Sequence, residues 1–162
     1  MLMEFYIPFP CQDAPQDNEA MECLKESCML QLSRIVRITG ASIVLSSSWR
    51  FFPSTRQRLQ DRLMRYGIPP FKRWIAADIK RDVKNRMDLI MEFVGANSEL
   101  VSDGWVVIDD ADLVVNETSL IAEVFKQHFV RTDPVIGLTK DAADKAIAIL
   151  RENNCSSSSP DE

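Results

Sequence analysis

The sequence predicts an α/β domain built on a mostly parallel β-sheet with helices on both faces. Two short apolar runs carry this prediction, because Ile43–Leu45 stops at three serines and Val106–Ile108 stops at Asp109 and Asp110. A buried parallel strand has this pattern when it delivers polar groups to the carboxyl edge of the sheet, where such sheets bind ligands. Segments with helical spacing alternate with these runs, as they do in βαβ units.

Length and composition limit the chain to one domain. A chain of 162 residues, of which 46% are hydrophobic, can bury one core. Residues 1–20 contain three prolines and no periodicity, so we expect an irregular leader. The domain is expected over residues 21–151, and the serine-rich tail at 152–162 is expected to be disordered.

The first half of the domain is predicted to alternate helix, strand and helix. An apolar stripe after Ala20 predicts a helix that ends at Gly40, followed by a strand over residues 41–45. Pro53 then opens a second helix, with Ser54 as its cap and Gly67 just beyond its end. The apolar positions of the first stripe are Leu24, Cys28, Leu32, Ile35 and Val36.

The second half continues the alternation. Residues 74–77 are a strand candidate, and an apolar stripe predicts a helix over residues 87–94. The clearest strand covers residues 105–108. A short helix from Leu120, a strand over residues 128–131 and a last helix capped by Thr139 complete the domain.

The net charge of −5 argues against a protein that holds nucleic acid through a positive field over its whole surface. A local basic patch is nevertheless present. Charge runs of this kind commonly form a solvated face, and we favour that interpretation. The members of the patch are Lys72, Arg73, Lys80, Arg81, Lys84 and Arg86.

The cysteines argue against a zinc site, and the single histidine argues against a nucleophile that is paired with histidine. No two cysteines form a CxxC pair, so a zinc site is not expected, and the lack of a disulfide pattern predicts a reducing, cytoplasmic compartment. His128 lies in a strand-like segment and is predicted to be structural. The apolar start, residues 1–9, is too short to cross a membrane, and no membrane association is expected. The cysteines are Cys11, Cys23, Cys28 and Cys155.

The polar residues at the two strand ends are the candidates for chemistry. The Ser46 hydroxyl and the Ser47 amide would suit phosphate oxygens, although serines after a strand are also ordinary loop residues. Asp109 and Asp110 repel each other unless a cation lies nearby, and hard oxygen ligands favour magnesium, although acids in turns are common too.

Basic residues near the start of the third helix could complete such a site. A cation from Lys84 or Arg86 could neutralise the charge of a phosphorylated intermediate, although each residue taken singly is more often part of the surface. Serine, basic residue and paired acids therefore follow one another in chain order.

This order resembles motifs two, three and four of the haloacid dehalogenase (HAD) superfamily. The closer similarity is to the HAD branch found in Swiss Army Knife RNA repair proteins, and it extends from about Leu24 to Leu150. Two segments carry it: residues 39–50, which contain Ser46-Ser47-Ser48-Trp49-Arg50, and residues 129–139, which contain Thr132-Asp133-Pro134 and Gly137-Leu138-Thr139.

The resemblance implies a Rossmann-like, three-layer fold and Mg²⁺-dependent phosphoryl transfer through an aspartyl-phosphate. By position, Ser46 would bind the transferring phosphate together with Ser47, and Lys84 or Arg86 would stabilise the intermediate. Asp109 and Asp110 would hold the metal. The implied partner is a phosphorylated substrate, with nucleic-acid ends suggested by the family.

The chain departs from the family pattern at its beginning. In HAD enzymes an early strand ends in Asp-x-Asp, which supplies the nucleophile and the acid/base; here residues 5–10 contain two prolines and lead to Cys11-Gln12-Asp13. We therefore expect a sheet that lacks the first, central strand of the family, through a truncated gene model, an alternative start or degeneration. Unless residues 3–9 enter as a substitute, the strands over residues 41–45 and 105–108 would face a gap.

Two functions follow for a chain of this kind. One is a HAD-like phosphatase domain whose activity is impaired. The alternative is a non-catalytic module that keeps the pocket and binds phosphate or a partner.

Overall fold

The computed structural model describes residues 2–5, 24–71, 73–75, 86–115 and 117–155. Five strands form one sheet: β1 (Leu2–Phe5), β2 (Ser42–Leu45), β3 (Arg73–Trp74), β4 (Trp105–Asp109) and β5 (Phe129–Arg131). Their order is β3-β2-β1-β4-β5, and all neighbouring strands are parallel. The helices are α1 (Glu26–Thr39), α2 (Pro53–Met64), α3 (Arg86–Ala96), α4 (Ser98–Val101), α5 (Leu120–Gln127) and α6 (Lys140–Cys155), with a 3₁₀ helix at Ser48–Phe51.

The sheet lies between two helical layers, and alternation along β2 and β4 fills both cores. Ile43, Leu45 and their counterparts on β4 pack with apolar residues of α1, α2 and α6. Val44 and Val107 face the opposite way and pack with residues of α3 and α5. Both strands are thus buried on both faces, as their apolar sequences require. The predicted α/β fold with a mostly parallel sheet is confirmed.

The expectation of a missing central strand is wrong. Leu2–Phe5 forms β1 and pairs with β2 and β4 at once, with Phe5 opposite Leu45 on one side and opposite Ile108 on the other. The physical reason is that β1 ends before Pro8, so no proline interrupts its hydrogen bonds. Residues 2–5 belong to the sheet rather than to a leader, and the rest of the predicted leader lies outside the described residues.

Three predicted helix termini can be compared with the structure. Thr139 accepts a hydrogen bond from the Ala142 amide at 3.2 Å, which confirms it as a cap. Gly67 has a φ of 71° in the turn after α2, a conformation that favours glycine. Ser54 is not a cap: α2 begins at Pro53 with Phe52 before it, because proline suits a first helical position that needs no amide donor.

The chain ends of the domain also differ from expectation. α1 begins at Glu26, and α6 continues to Cys155, which is four residues into the predicted tail. Within the described ranges, no helix combines the length and apolar character needed to cross a membrane.

Candidate functional site

The ends of β2 and β4 bring Ser46 and Asp109 to the same level of the carboxyl edge. Each follows a residue paired with Phe5, so the two flank the end of β1 at equal height. Two strand spacings separate their backbones by about 10 Å. A small anion or metal complex placed over the end of β1 could contact both.

The serines after β2 are buried donors. Ser46 is 2% exposed and Ser47 is 0% exposed, and neither hydroxyl has a hydrogen-bond partner among the described residues. The Ser46 carbonyl accepts a hydrogen bond from the Arg50 side chain, which ties the 3₁₀ helix to the strand end. An unsatisfied buried hydroxyl costs about 1–3 kcal/mol. Such groups are commonly explained by a water or ligand that completes them.

Asp109 after β4 is paired by its neighbours. Its Oδ2 accepts a hydrogen bond from Arg86 Nη1 at 2.8 Å, and its Oδ1 accepts one from the Ala111 amide at 2.8 Å. The carboxylate is fully buried, and its desolvation raises the pKa of Asp109 from 3.8 to about 6, although the Arg86 charge and these hydrogen bonds act in the opposite direction. The structure therefore joins two sequence candidates, Arg86 and Asp109, in one ion pair.

The fit of this edge to magnesium depends on Arg86. Within the described part of the chain, no group of three or more His, Cys, Asp and Glu side chains could hold a metal ion. Asp109 and Asp110 alone offer two carboxylates, which suits Mg²⁺ when a substrate phosphate supplies further oxygens. One of the Asp109 oxygens is already held by Arg86. The assignment of Asp109 and Asp110 as a metal site stays a prediction.

Thr132 is a third hydroxyl at this edge, and it is not among the site residues predicted from the sequence. It follows β5, its amide donates to the Asp109 carbonyl at 2.8 Å, and its buried Oγ1 lacks a partner among the described residues. The signal that could have found it is the one that singled out Ser46, a hydroxyl placed directly after a strand.

Other candidates lie elsewhere or outside the described residues. Lys84 is outside them, as are Lys72, Lys80 and Arg81 of the predicted basic patch. His128 is half-buried before β5, where its Nδ1 lies 2.9 Å from the Trp105 carbonyl and its ring stacks on Trp105 at 4.0 Å. Burial lowers the pKa of His128, as expected for a structural histidine.

The segment after Thr132 has a structural explanation. Asp133 accepts hydrogen bonds from the amides of Val135 and Ile136 at 2.7 and 2.8 Å, and these amides lower the pKa of Asp133. Gly137 has a φ of 81°, and a Cβ there would lie 2.7 Å from Cys28 Sγ. The Thr-Asp-Pro and Gly-Leu-Thr stretch therefore builds a tight turn that packs on α1 and leads into α6.

Comparison with known proteins gives one family. The model for the HAD domain in Swiss Army Knife RNA repair proteins matches residues 6–143, which is most of the chain. No curated protein and no solved structure matches the chain.

Proposed function

Because the chain belongs to the family of HAD domains in Swiss Army Knife RNA repair proteins, we propose that its carboxyl edge binds the phosphate of a phosphomonoester. Membership makes the chain a HAD-like hydrolase domain by descent. The observation that carries the proposal is the pair of buried serine hydroxyls, Ser46 and Ser47, left without partners beside β1. Phosphate oxygens would accept hydrogen bonds from both.

Arg86 is the cation that such a phosphate would meet. In the structure its charge is matched by Asp109, so we propose that a phosphate dianion draws Arg86 away and frees Asp109 Oδ2. Asp109 and Asp110 would then hold Mg²⁺, which in this family supplies charge neutralisation at the phosphate. Phosphate and Mg²⁺ are therefore expected to bind better together than either does alone.

We propose that hydrolysis by this chain is slow or absent. Covalent phosphoryl transfer needs a positioned nucleophile, which in this family is an Asp just after the central strand. Here the central strand ends at Phe5 and is followed by Tyr6-Ile7-Pro8. The next Asp, Asp13, lies outside the described residues. The residues that follow β1 therefore favour the phosphate-binding module over an active phosphatase.

We base a proposed substrate class on the family and a proposed cellular compartment on the cysteines. A phosphorylated nucleic-acid end is the substrate class that suits a domain of RNA repair proteins. Cys28 is a free thiol, which agrees with a reducing compartment, and we propose a cytoplasmic location.

Calorimetric titration with inorganic phosphate, with and without Mg²⁺, tests the proposal. We expect Ser46→Ala to weaken phosphate binding roughly tenfold, because a hydrogen bond to a charged group contributes about 1.5 kcal/mol or more. Mg²⁺ is expected to tighten phosphate binding to the wild type and to have no such effect on Asp109→Asn.

The matched control is Ser54→Ala, which removes an exposed hydroxyl from the start of α2 and should leave phosphate affinity unchanged. Equal phosphate affinity in Ser46→Ala and the wild type would contradict the proposed pocket. A parallel assay with an aryl phosphate and Mg²⁺ is expected to give no turnover. Turnover that disappears in Asp13→Asn would show that the nucleophile is Asp13 and that the chain is an active phosphatase.

A further inference from the structure

Three polar residues form a row across the carboxyl edge of the sheet. Asp109 on β4 and Arg131 on β5 are register partners, and Ser46 at the end of β2 lies at the same level. Side chains alternate between the two faces of a sheet, and the residues two positions before these three all pack in the core formed with α3 and α5. Those earlier residues are Val44, Val107 and Phe129. The alternation therefore directs the side chains of the row to one and the same face.

This face carries two arginine–aspartate pairs that differ in burial. The pair of Arg86 and Asp109 is buried beside α3. Arg131 Nη1 lies 2.6 Å from Asp112 Oδ2, and these two side chains are 55% and 29% exposed. Asp112 belongs to the loop after β4, so the second pair lies at the surface, beside the first. An exposed ion pair contributes little to stability, and Arg131 can therefore exchange this carboxylate for another anion with little loss.

The strand spacing indicates which anion Arg131 would meet. Neighbouring strands are about 4.8 Å apart, so the Arg131 backbone lies about 5 Å from that of Asp109 and about 10 Å from the end of β1, where the proposed phosphate would bind. The long arginine side chain covers much of this distance, and its planar guanidinium can hold two oxygens of a phosphate at once. Arg131 would therefore contact a group that a spacer of sugar size separates from the first phosphate.

We propose that Arg131 binds a second phosphate group of the substrate, so that this site selects compounds with two phosphates over simple phosphomonoesters. Asp112 is the anion that pairs with Arg131 until the substrate arrives. The inference rests on the proposed function for the position of the first phosphate. Two classes of compound have this chemistry. One is a 5′-phosphorylated nucleotide strand, whose second phosphate is its first phosphodiester, and the other is a sugar bisphosphate.

A purely structural role of the Arg131–Asp112 pair predicts a different pattern of effects. The pair connects β5 to the loop after β4, and the Val114 amide also donates to Asp112, at 3.4 Å. If the pair only held this loop in place, the loss of either partner would disturb the site in the same direction. The proposal gives the two partners opposite effects, because Asp112 competes with the substrate for Arg131.

Calorimetric titration in the presence of Mg²⁺ tests the role of Arg131. One pair of ligands is a 5′-phosphorylated dinucleotide and the nucleoside 5′-monophosphate, and the other pair is a hexose 1,6-bisphosphate and the hexose 6-phosphate. We expect the wild type to bind the two-phosphate member of at least one pair roughly tenfold more tightly, because a hydrogen bond to a charged group contributes to this extent. The pair that shows the difference identifies the source of the second phosphate.

The variants of the two partners should change this difference in opposite directions. Arg131→Gln should remove it and leave the affinity for the one-phosphate ligands unchanged. Asp112→Asn should raise the affinity for the two-phosphate ligand several-fold, and should have no such effect when Arg131 is already Gln. A partly unfolded variant would bind every ligand less tightly, so a folding defect does not reproduce this pattern. Weaker binding in both single variants would overturn the proposal.

The matched control is the ion pair of Arg34 and Asp144, which is also partly exposed and connects α1 to α6. Both helices cover the opposite face of the sheet. Arg34→Gln should leave every affinity within about twofold, because charges farther apart than about 8–10 Å are largely screened. If Arg34→Gln removes the two-phosphate difference as Arg131→Gln does, net charge sets the affinity and the assignment of Arg131 is wrong.

Ser46→Ala separates this inference from the proposed phosphate pocket. It should weaken binding of both members of a ligand pair by the same factor. If the wild type binds both members of each pair equally well and Ser46→Ala weakens both, the pocket stands and the role of Arg131 is refuted. If Ser46→Ala changes neither affinity and Arg131→Gln still removes the difference, the pocket fails and the role of Arg131 stands. A wild type that binds none of these ligands would refute both.

Discussion

The polar groups at the ends of β2 and β4 differ in whether they have hydrogen-bond partners in the structure. After β2, the hydroxyls of Ser46 and Ser47 are buried with no partner in the described part of the chain. After β4, both carboxylate oxygens of Asp109 are hydrogen bonded, one to Arg86 and one to the backbone of Ala111. The β2 side therefore carries unsatisfied hydroxyls that a ligand could satisfy, whereas the hydrogen bonds of the β4 side are already made until a ligand competes for Arg86.

Loss of Arg86 should have the largest effect on stability. Arg86→Gln leaves the buried Asp109 carboxylate without its cation, and breaking a buried pair in this way costs about 3–5 kcal/mol. The loss should be greater at pH 8 than at pH 5, because Asp109 can take up a proton at the lower pH. Urea unfolding at both pH values measures it. Arg37→Gln, an exposed arginine without an ion pair among the described residues, is the control, and an equal loss at both pH values would contradict the pairing.

The pH dependence of stability should reveal Asp109 itself. The pKa of Asp109 is raised from 3.8 to about 6, so folding favours its protonated form. The protonated Asp109 carboxyl therefore adds to the free energy of unfolding below pH 4. This stabilisation is lost as the pH rises through about 6, by a total of about 3 kcal/mol. Asp109→Asn lacks this dependence, so its stability relative to the wild type should increase between pH 4 and pH 7. A difference that stays constant in urea unfolding over this range would show that Asp109 has an ordinary pKa.

The serine side should give the smallest change in stability. Ser47→Ala removes a buried hydroxyl that has no protein partner, so the free energy of unfolding should stay the same or rise by up to about 1 kcal/mol. Ser33→Ala is the matched comparison, since Ser33 Oγ donates to the Tyr66 carbonyl at 2.7 Å and its loss should cost about 1 kcal/mol. If urea unfolding shows that Ser47→Ala lowers the free energy of unfolding more than Ser33→Ala does, the Ser47 hydroxyl takes part in hydrogen bonding in the native protein and is not left available for a ligand.

Sequence patterns predicted the strands that have clear apolar runs and missed β1, whose run is the weakest. β2 and β4 were predicted within one residue of their observed ends, because each is apolar on both faces and stops at a polar group. β1 was not predicted, since Glu4 interrupts its apolar run and the prolines beyond Phe5 argued against a strand. Only pairing with two neighbouring strands, which a linear pattern does not contain, shows that four residues suffice there.

The sequence predicted several residues of the candidate site, but not the contacts between them. Ser46 and Asp109 follow strands, so the topology alone places them at one edge. Arg86 was one of two basic candidates, and nothing in its spacing showed that it would pair with Asp109 at 2.8 Å. Thr132 was overlooked because the sequence around it reads as a turn, and its burial depends on packing that only the folded chain shows.

The central position of β1 has a consequence for how the protein folds. Leu2 pairs with Ser42 and with Trp105, partners that are 40 and 103 residues away along the chain. In the part of the chain that the structure describes, the β3–β2 and β4–β5 pairs are connected by ladder hydrogen bonds only through β1. Closing loops of this length is entropically costly before any contact is gained, and topologies dominated by distant contacts fold slowly. Insertion of β1 is therefore expected to be a late event in folding, one that adds the backbone hydrogen bonds across the sheet to two halves already joined by the packing of α1 on α6.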